Sequence, residues 1–589
     1  MKKFRLKDGL LTALALLALT SGAFAAPQAP THLQIPAIAA GEDALTLVWQ
    51  KPAEYQDVAG YHIYMNGQFI GDASQDAASA AKAEIAAFHS ANPSAQNTSK
   101  HMFYAANLKP DTKYVFTVRA IDKKGAESAD SNSVSAATRS KAVKSHSIAE
   151  YGAIGDGDTL NTRAIQKAVD ACAAGGTVVI PSGVFKTGAI WLKSDMTLEL
   201  QKDAVLLGSE NAEDYPYHYK LYPYLKDERY YGLINARPGA DGEHLHNIRI
   251  VGEGVIDGNG WKMNEAGTEY LYTKNTVEKD GTPGKNHVLN IGILAANEVR
   301  ALDQVYKLNT KQAYPRRSSL ILMQGVDHLY YHGITVRNPA NHTIVNQHCN
   351  DVVIENVNFR TYNCNNGDGI EFAHGSGLLV ANNVFDTGDD CVNFAAGQGK
   401  LGAKDGATEN IWIFNNSFHH GHGAVVMGSH TAAFIQNVLA EDNVIDGTDV
   451  GLRMKTAPIN GGGARDVVFR DNAMKNLQSQ AFIFTTAYND PNAIAEFPKA
   501  DQPGSFYNVH VSNCTVDGAK GPGIEIQGLE NARHHDISFS NIKFLDTKPW
   551  KISYMKNASF DNVVVTTTAE EQKAAEKKAA EKKAAAKNK

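Results

Sequence analysis

The sequence has few of the residues that build metal or disulfide frameworks. Only five of its 589 residues are cysteines, and no two of them are spaced as C-x-x-C. A zinc-binding module is therefore not expected. The odd number leaves at least one cysteine unpaired within the chain. Cys349 and Cys364 could form a disulfide, and the alternative is that all five are small buried side chains.

The sequence also lacks a strong charge of either sign and any long internal hydrophobic run. The formal net charge is -6, which is small for this length and predicts no nucleic-acid partner. Beyond the N-terminus, no segment approaches the roughly 20 apolar residues that a membrane-spanning helix needs. The chain is too long for one ordinary domain, so we expect two or more.

The N-terminus has the three parts of an export signal. A basic stretch, "MKKFRLK", precedes the short apolar run "LLTALALLALTSG", and Ala23-Phe24-Ala25 supplies an A-x-A cleavage site. The pattern predicts a signal peptide over residues 1–25. We therefore expect an exported protein that is periplasmic or secreted.

Residues 27–140 alternate apolar and polar positions at the period of β-strands, as in "ALTLVWQKP" and "GYHIYMNGQFIG". The motif L-x-P-x-T-x-Y then runs from Leu108 to Tyr114. It resembles the tyrosine corner of fibronectin type III domains, with Trp49 as the expected core aromatic. An Ala-rich insertion, "ASQDAASAAKAEIAAFHSANPSAQNTSK", interrupts this pattern and is expected to form a helix or a loop. The region carries no group that suggests catalysis.

Residues 145–566 contain a repeated template: apolar, any, Asn or Asp, any, any, apolar. The polar position recurs at intervals of 21 to 42 residues, at Asn356, Asn382, Asn415, Asp442, Asp471, Asn513, Asn541 and Asn562. Each unit also carries a second short apolar strand, such as "GIEF" or "CVNF". Units this short are typical of stacked β coils. We predict an all-β right-handed parallel β-helix with an Asn ladder at the turn, and a β-propeller is the alternative.

The last residues, 567–589, are rich in Ala, Glu and Lys. This composition favours a solvated single helix without an apolar face. We expect this tail not to dock on the β-helix.

Polar residues precede the second strand in three successive units. Asp368 lies before "GIEF", Asp390 before "CVNF" and His422 before "GAVVM". An alignment that matches Phe394 with Val426 places these three side chains in one stack, one coil apart. Asp389 should diverge from its neighbour Asp390, because adjacent strand residues point in different directions.

One coil later, "GLRMKT" places Arg453 and Lys455 on the same side of a strand. When carboxyl groups lie this close together, the pKa of at least one of them is raised, and that group can act as a proton donor. Arg and Lys bind an anionic substrate. Together these groups are suited to acid–base cleavage of an acidic glycoside.

Four short motifs occur in order on these coils: "NNGDG" at 365–369, "GDD" at 388–390, "GHG" at 421–423 and "RMK" at 453–455. They resemble the four ordered signatures of the polygalacturonase family of glycoside hydrolases, whose fold is also a right-handed parallel β-helix. The sequence departs from the family at Gly367, where Thr is usual, and at Asn341 and His342, where an aromatic residue is usual.

The resemblance implies a role for each residue that matches a signature. The implied catalytic residues are Asp389 as general acid, Asp368 and Asp390 as the pair that activates water, and His422 as the group that sets the acid's protonation. The implied substrate-binding residues are Arg453, Lys455, Asn366 and Tyr488.

The resemblance implies an inverting hydrolase of α-1,4-linked galacturonate that needs no metal or cofactor, and we expect a monomer. Inversion requires about 6.5–9.5 Å between acid and base, which we expect here. Two long excursions, about 209–246 and 259–318, are predicted to close one end of the groove. They make the chain similar to exo-acting family members that release digalacturonate from the non-reducing end. The alternatives are an endo-polygalacturonase, a Ca-dependent pectate lyase and a non-catalytic adhesin.

Overall fold

A computed structural model describes residues 26–570, apart from positions 77, 142–143, 262–293, 363 and 490–495, together with residues 573 and 577. The predicted signal peptide over 1–25 and most of the predicted tail over 567–589 lie outside these residues. Among the helices within them, none is both long and apolar enough to cross a membrane.

The N-terminal part is a sandwich of two antiparallel sheets. One sheet contains Thr31–Gln34, Leu45–Gln50 and Met102–Ala105; the other contains Gln68–Asp72, Val58–Met65, Lys113–Asp122 and Val134–Ala137. Trp49 is fully buried in the core between them. The Tyr114 hydroxyl accepts a hydrogen bond from the backbone N–H of Lys109 at 2.9 Å. The predicted core aromatic and tyrosine corner are both confirmed.

From residue 145 onward, parallel strands stack coil upon coil in three columns. The first column contains Ser145–Ser147, Gly176–Ile180, Met196–Leu200, Leu245–Gly252, Val326–His332, Asn350–Glu355, Ser376–Ala381, Thr408–Phe414, Ile435–Glu441, Gly463–Arg470, Ser505–Pro522, His534–Lys548 and Met555–Thr566. The second contains Asp156–Leu160, Gly183–Thr187, Ala204–Gly208, Val255–Asp257, Thr335–Arg337, Asn358–Arg360, Val384–Asp386, Ser417–Phe418, Val444–Asp446 and Ala473–Leu477. The third contains Ile190–Trp191, Ile234–Ala236, Ile321–Gln324, Ile344–Gln347, Ile370–Ala373, Val392–Ala395, Val425–Met427, Leu452–Lys455, Phe482–Thr485, Ile524–Gln527 and Lys551–Ser553. The predicted parallel β-helix is confirmed.

The helices lie mostly at the edges of this framework. The α-helices are Lys82–Ala91, Thr162–Ala171, Leu294–Tyr306, Thr310–Ala313 and Gly399–Gly402, and the 3-10 helices are Ala37–Ala39, Ala73–Gln75, Ile148–Tyr151, Ala212–Asp214 and Tyr314–Arg316. Thr162–Ala171 buries Ile165, Ala168 and Val169 in the core of the β-helix. It therefore shields the apolar interior near the first coils from water.

The repeated template does not form one strand, because it contains a bend that separates a strand of the first column from a strand of the second. Most coils therefore have three strands, where we predicted two. All eight polar template positions have φ between 48° and 58°. Asn and Asp tolerate this left-handed conformation better than other residues with side chains do. In the coils up to Asp471, the template residue is thus the corner at which the first column turns into the second.

The Asn ladder lies one residue later than predicted. Its members are the fully buried residues Asn383, Asn416, Asn443 and Asn472. The backbone N–H of each of the first three donates to the side-chain oxygen of the next at 2.9–3.0 Å. The template residues themselves face away from the core. Side-chain hydrogen bonds link Asn513, Asn541 and Asn562 at 3.1 and 2.8 Å, and Asn415 Nδ2 donates to the Asp442 carbonyl at 3.2 Å. The inner position carries the ladder because its buried amide satisfies backbone groups that water cannot reach.

The sandwich packs against the outer face of the first column. Val48 and Met102 share an apolar cluster with Tyr330, Trp412 and other residues of that face. The Ala-rich insertion forms the helix Lys82–Ala91, which packs on the β-helix through buried apolar side chains. The two domains are therefore joined by an apolar interface as well as by the chain that connects them.

The five cysteines are buried, and none of them forms a disulfide. The possible disulfide between Cys349 and Cys364 is therefore absent. Cys349 and Cys364 both lie in the main apolar core of the β-helix. They act there as small apolar side chains, in agreement with the alternative prediction.

Candidate active site

The third column carries the candidate site. Glu371, Asn393, Val426 and Arg453 lie opposite one another on four successive strands. Each of the two acidic loops joins its strand in the same way, because Asp368 and Asp390 both lie two residues before the first strand residue. The backbone N–H of Gly369 donates to the carbonyl of Asp390 at 3.0 Å. Asp368 and Asp390 thus lie one coil apart on one face, as predicted.

His422 does not align with these two aspartates as predicted. Phe394 lies opposite Met427, whereas Val426 lies opposite Asn393 on the outer face. The "GHG" coil has one more residue between its polar group and its strand than the acidic coils have. Slipping by one residue moves a side chain to the other face, so the buried Phe394 must pair with the buried Met427. His422 is consequently level with Asp389, not with Asp390.

Asp389 and His422 form an ion pair. His422 Nδ1 lies 2.8 Å from Asp389 Oδ1, and Asn366 Nδ2 lies 3.4 Å from Asp389 Oδ2. The negative charge of Asp389 raises the pKa of His422 despite partial burial. Burial opposes ionisation of Asp389, but the charge of His422 and its hydrogen bond hold the pKa of Asp389 well below its usual range. Below the raised pKa of His422, the pair therefore carries its titratable proton on the imidazole while Asp389 is ionised.

Asp390 pairs with both predicted substrate-binding cations. Arg453 Nη1 lies 3.1 Å from Asp390 Oδ1, and Lys455 Nζ lies 2.6 Å from Asp390 Oδ2. The Arg453 and Lys455 cations lie 5.9 and 5.2 Å from the centre of the Tyr488 ring. The side chains of Arg453 and Lys455 are therefore held against Asp390 and Tyr488 and do not extend freely into solvent.

Glu371 was missed in the sequence, although it occupies the outward position of the "GIEF" strand. Asn393 Nδ2 donates to Glu371 Oε1 at 2.8 Å, and the carboxyl groups of Asp368 and Glu371 hydrogen-bond to each other. Burial raises the pKa of Asp368 well above its usual range, and Asp389 adds to the effect. Burial likewise raises the pKa of Glu371 to about 7. Burial, to which neighbouring carboxylates add, thus raises the pKa values of Asp368 and Glu371, whereas the pKa of Asp389 is lowered.

The carboxylates lie closer together than predicted. Oxygen atoms of Asp368, Asp389 and Asp390 are all within 4.8 Å of one another. This is shorter than the separation of about 6.5–9.5 Å that is usual between the two carboxyl groups of inverting glycosidases. The expected separation is therefore not observed between these closest oxygen atoms, and the spacing does not support inversion. Such a group of oxygens could hold a divalent cation, but Arg453 and Lys455 already place two positive charges on Asp390.

The excursion over 209–246 closes one end of the cavity that contains the acids. Leu221 and Tyr222 from this segment line the cavity. The Tyr222 hydroxyl lies 2.9 Å from Nδ1 of His430, which also lines it. The Tyr219 hydroxyl donates to Oε1 of Gln347, another lining residue, at 2.8 Å. These contacts hold the segment against residues of two different coils that line the cavity.

The second excursion contributes differently. Its residues 262–293 lie outside the described part of the chain, and the remainder includes the helix Leu294–Tyr306. Glu298 on this helix accepts a hydrogen bond from the backbone N–H of Ser318 at 2.9 Å. Of the described residues in 294–318, none lines the cavity. They pack on the core beside it.

Comparison with known proteins places this geometry in a family. Residues 28–136 match the fibronectin type III domain, and residues 303–569 match the family described as glycosyl hydrolases family 28. The chain is 45% identical over 576 residues to the exo-poly-alpha-D-galacturonosidase of Dickeya chrysanthemi, covering 95% of this chain and 94% of the relative.

Two solved structures share the architecture. The family 28 exopolygalacturonase of Yersinia enterocolitica superposes with a TM-score of 0.85 at 42% identity, over 92% of this chain and 96% of that one. A hyperthermoactive exopolygalacturonase from Thermotoga maritima shares the fold, with a TM-score of 0.59 at 24% identity, over 72% of this chain and 92% of that one. The chain belongs to glycosyl hydrolase family 28.

Proposed function

We propose that this chain is an exo-acting polygalacturonase, which hydrolyses α-1,4-linked galacturonate from the non-reducing end and releases digalacturonate. The observation that carries the proposal is that the acids lie in a cavity closed by Leu221 and Tyr222. A closed end admits a chain terminus and blocks a continuing polymer. The similar proteins from Dickeya and Yersinia are both named as exo-acting enzymes.

The pair of Asp389 and His422 supplies the proton in the proposed reaction. The imidazolium of His422 passes a proton to Asp389, and Asp389 passes it to the glycosidic oxygen as the bond to the leaving sugar breaks. Asn366 holds the other oxygen of Asp389. His422 thus keeps the acid supplied although Asp389 itself is ionised in the free enzyme.

Asp390 and Asp368 hold the attacking water. Asp390, which is paired with Arg453 and Lys455, takes the proton from this water as it attacks the anomeric carbon. Asp368 shares a proton with Glu371 and so orients the water through a hydrogen bond. Inversion rests here on the family resemblance, since the spacing of the carboxylates does not carry it.

Arg453 and Lys455 also bind the substrate. A galacturonate carboxylate next to Asp390 shares their positive charge through charge-assisted hydrogen bonds. Tyr488 lines the same side of the cavity and offers its ring to the sugar. An uncharged sugar gains none of this electrostatic attraction, which supports an acidic substrate.

The proposal includes export of a monomeric enzyme, supported by the export-signal pattern of residues 1–25. The exo mode is tested by following viscosity and new reducing ends together in a polygalacturonate solution. We expect many new reducing ends for little loss of viscosity. A rapid fall in viscosity at few new ends would indicate cleavage inside the chain and an open groove.

A further inference from the structure

The closed end of the cavity needs a positive charge if, as proposed above, it receives the terminal galacturonate of a polyanion. The histidines that line it do not provide one. Burial lowers the pKa of both His342 and His430 to about 3, so both are neutral at physiological pH. Arg453 and Lys455 are already paired with Asp390.

Arg229 lies on the segment that forms the wall. Its backbone pairs with that of Tyr219, since each N–H donates to the other's carbonyl, at 2.7 and 3.0 Å. Directly opposed residues of an antiparallel pair place their side chains on the same face. The Tyr219 side chain reaches the cavity residue Gln347. The Arg229 side chain therefore leaves the wall on the cavity side.

The charge of Arg229 acts on groups around the closed end. After burial, Arg229 is the largest influence that lowers the pKa of His342 and of His430. It also offsets the effect of burial on the pKa of Tyr219. One guanidinium that affects these three groups must lie near all of them, which agrees with the backbone pairing.

Arg229 is anchored but retains donors for a ligand. Its Nε atom donates to Asp227 Oδ2 at 3.2 Å, and its side chain remains 17% exposed. Asp227 is itself held by Arg316 at 2.8 Å. Within the described part of the chain, the Nη atoms of Arg229 make no hydrogen bond. Arg229 is thus an oriented cation with two free N–H-bearing nitrogens.

We propose that Arg229 binds the carboxylate of the galacturonate unit at the closed end of the cavity, and that it selects chains with an acidic non-reducing end. The planar guanidinium matches a carboxylate in a two-point contact. The inference rests on the proposed function and adds the residue that recognises the chain end. It makes Arg229 a binding residue for the terminal sugar, not a participant in bond cleavage.

The test compares two oligogalacturonates that differ only at the non-reducing terminal unit, which carries a free acid in one and a methyl ester in the other. We expect the wild-type enzyme to prefer the acid end by on the order of 10- to 100-fold in kcat/KM, the range of a charge-assisted hydrogen bond. Arg229→Gln should lose activity on the acid end by a similar factor and act on both substrates almost equally.

Arg237→Gln is the matched control. Arg237 lies on the same segment and is exposed, and its guanidinium stacks on Trp191 and Tyr231. It should keep the wild-type preference. Arg229→Lys keeps the charge but not the planar fork, so we expect an intermediate preference. Thermal unfolding identifies any variant that does not fold. If Arg229→Gln does not fold, the substrate preference of Arg229→Lys tests the inference instead.

Unchanged discrimination in folded Arg229→Gln, or in Arg229→Lys if the Gln variant is unfolded, would overturn the inference. A wild-type enzyme that does not discriminate between the two substrates would also overturn it. These results would leave the proposed exo-hydrolase intact. Release of no short product from polygalacturonate by the wild-type enzyme would instead contradict the proposed function itself.

Discussion

His422 Nδ1 lies 2.8 Å from Asp389 Oδ1, so one short contact joins the imidazole to the carboxylate that is proposed to deliver the proton. Neither residue alone would be a suitable acid. The pKa of Asp389 is well below its usual range, and the pKa of His422 is above its usual range. In the proposed mechanism the histidine stores the proton and the aspartate delivers it.

The pH dependence of kcat/KM should show directly that His422 holds the proton used in catalysis. The folded-state pKa of His422 is raised mainly by Asp389, so His422 is protonated below that pKa and loses its proton as pH rises through it. We expect activity to fall on the alkaline side, with a midpoint above the ordinary histidine pKa of about 6.5. His422→Gln should lower activity and remove this midpoint. An alkaline limb that is unchanged in His422→Gln would assign it to another group.

Replacing the proposed acid should remove catalysis without unfolding the protein. Asp389→Asn keeps the size of the side chain but cannot deliver a proton. We expect kcat to fall on the order of 10²-fold or more, the usual scale for general acid catalysis. Asp386→Asn is a matched control, since Asp386 pairs with His420 at 2.7 Å but does not line the cavity. Near wild-type kcat in Asp389→Asn would place the acid elsewhere.

The substrate-binding role of Arg453 can be separated from a structural one. Arg453→Ala removes a cation that pairs with the cavity residue Asp390, so the KM for oligogalacturonates should rise on the order of tenfold or more. Arg465→Ala, which removes an arginine that stacks on Phe434 outside the cavity, should leave KM unchanged. If both KM and kcat of Arg453→Ala stay at wild-type values, the substrate assignment loses its main support.

The interface between the two domains should depend on one buried lysine. Lys51 of the sandwich lies 3.2, 2.6 and 2.7 Å from Glu441, Asp442 and Asp471 of the β-helix, with a side chain that is 1% exposed. Glu441 also contacts Arg470 at 2.8 Å and Asp471 accepts a hydrogen bond from the Tyr55 hydroxyl at 2.9 Å, but Lys51 is the one cation within 4 Å of all three carboxylates in the described part of the chain. Removal of one partner from a buried ion pair typically costs about 3–5 kcal/mol. Lys51→Met should therefore lower the Tm measured by calorimetry, whereas the exposed control Lys113→Met should not. Equal Tm values would show that the carboxylates find other compensation.

Residues within short contiguous motifs could be identified from the sequence. Asp368, Asp389 and Asp390 occur in such motifs, and the structure brings them together. Relations between coils were harder to predict, because a single extra residue before a strand changes the register. His422 was displaced by one position in this way. The Asn ladder was misplaced for another reason, because the sequence does not show which of two adjacent polar residues the core buries. The register is set by which side chains the core buries, and this is not evident within a strand of three or four residues.

Contacts that join distant parts of the chain gave no signal in the sequence. Lys51 meets Asp442 across 391 residues, and nothing local distinguishes this lysine from a solvated one. Glu371 was missed because its motif lies before it and its neighbours in space are on other coils. Arg229 lies in a segment without a repeat, where no periodicity indicates the direction of a side chain.

The proposed enzyme releases digalacturonate from the end of a polygalacturonate chain by hydrolysis. The most direct test is chromatography of the products from unesterified polygalacturonate during the first minutes, with ultraviolet absorbance recorded on the same samples. We expect digalacturonate as the single early product, and we expect that the ultraviolet absorbance of unsaturated sugars does not increase. A ladder of intermediate oligomers would contradict the exo mode, and growing absorbance would replace hydrolysis with the lyase reaction.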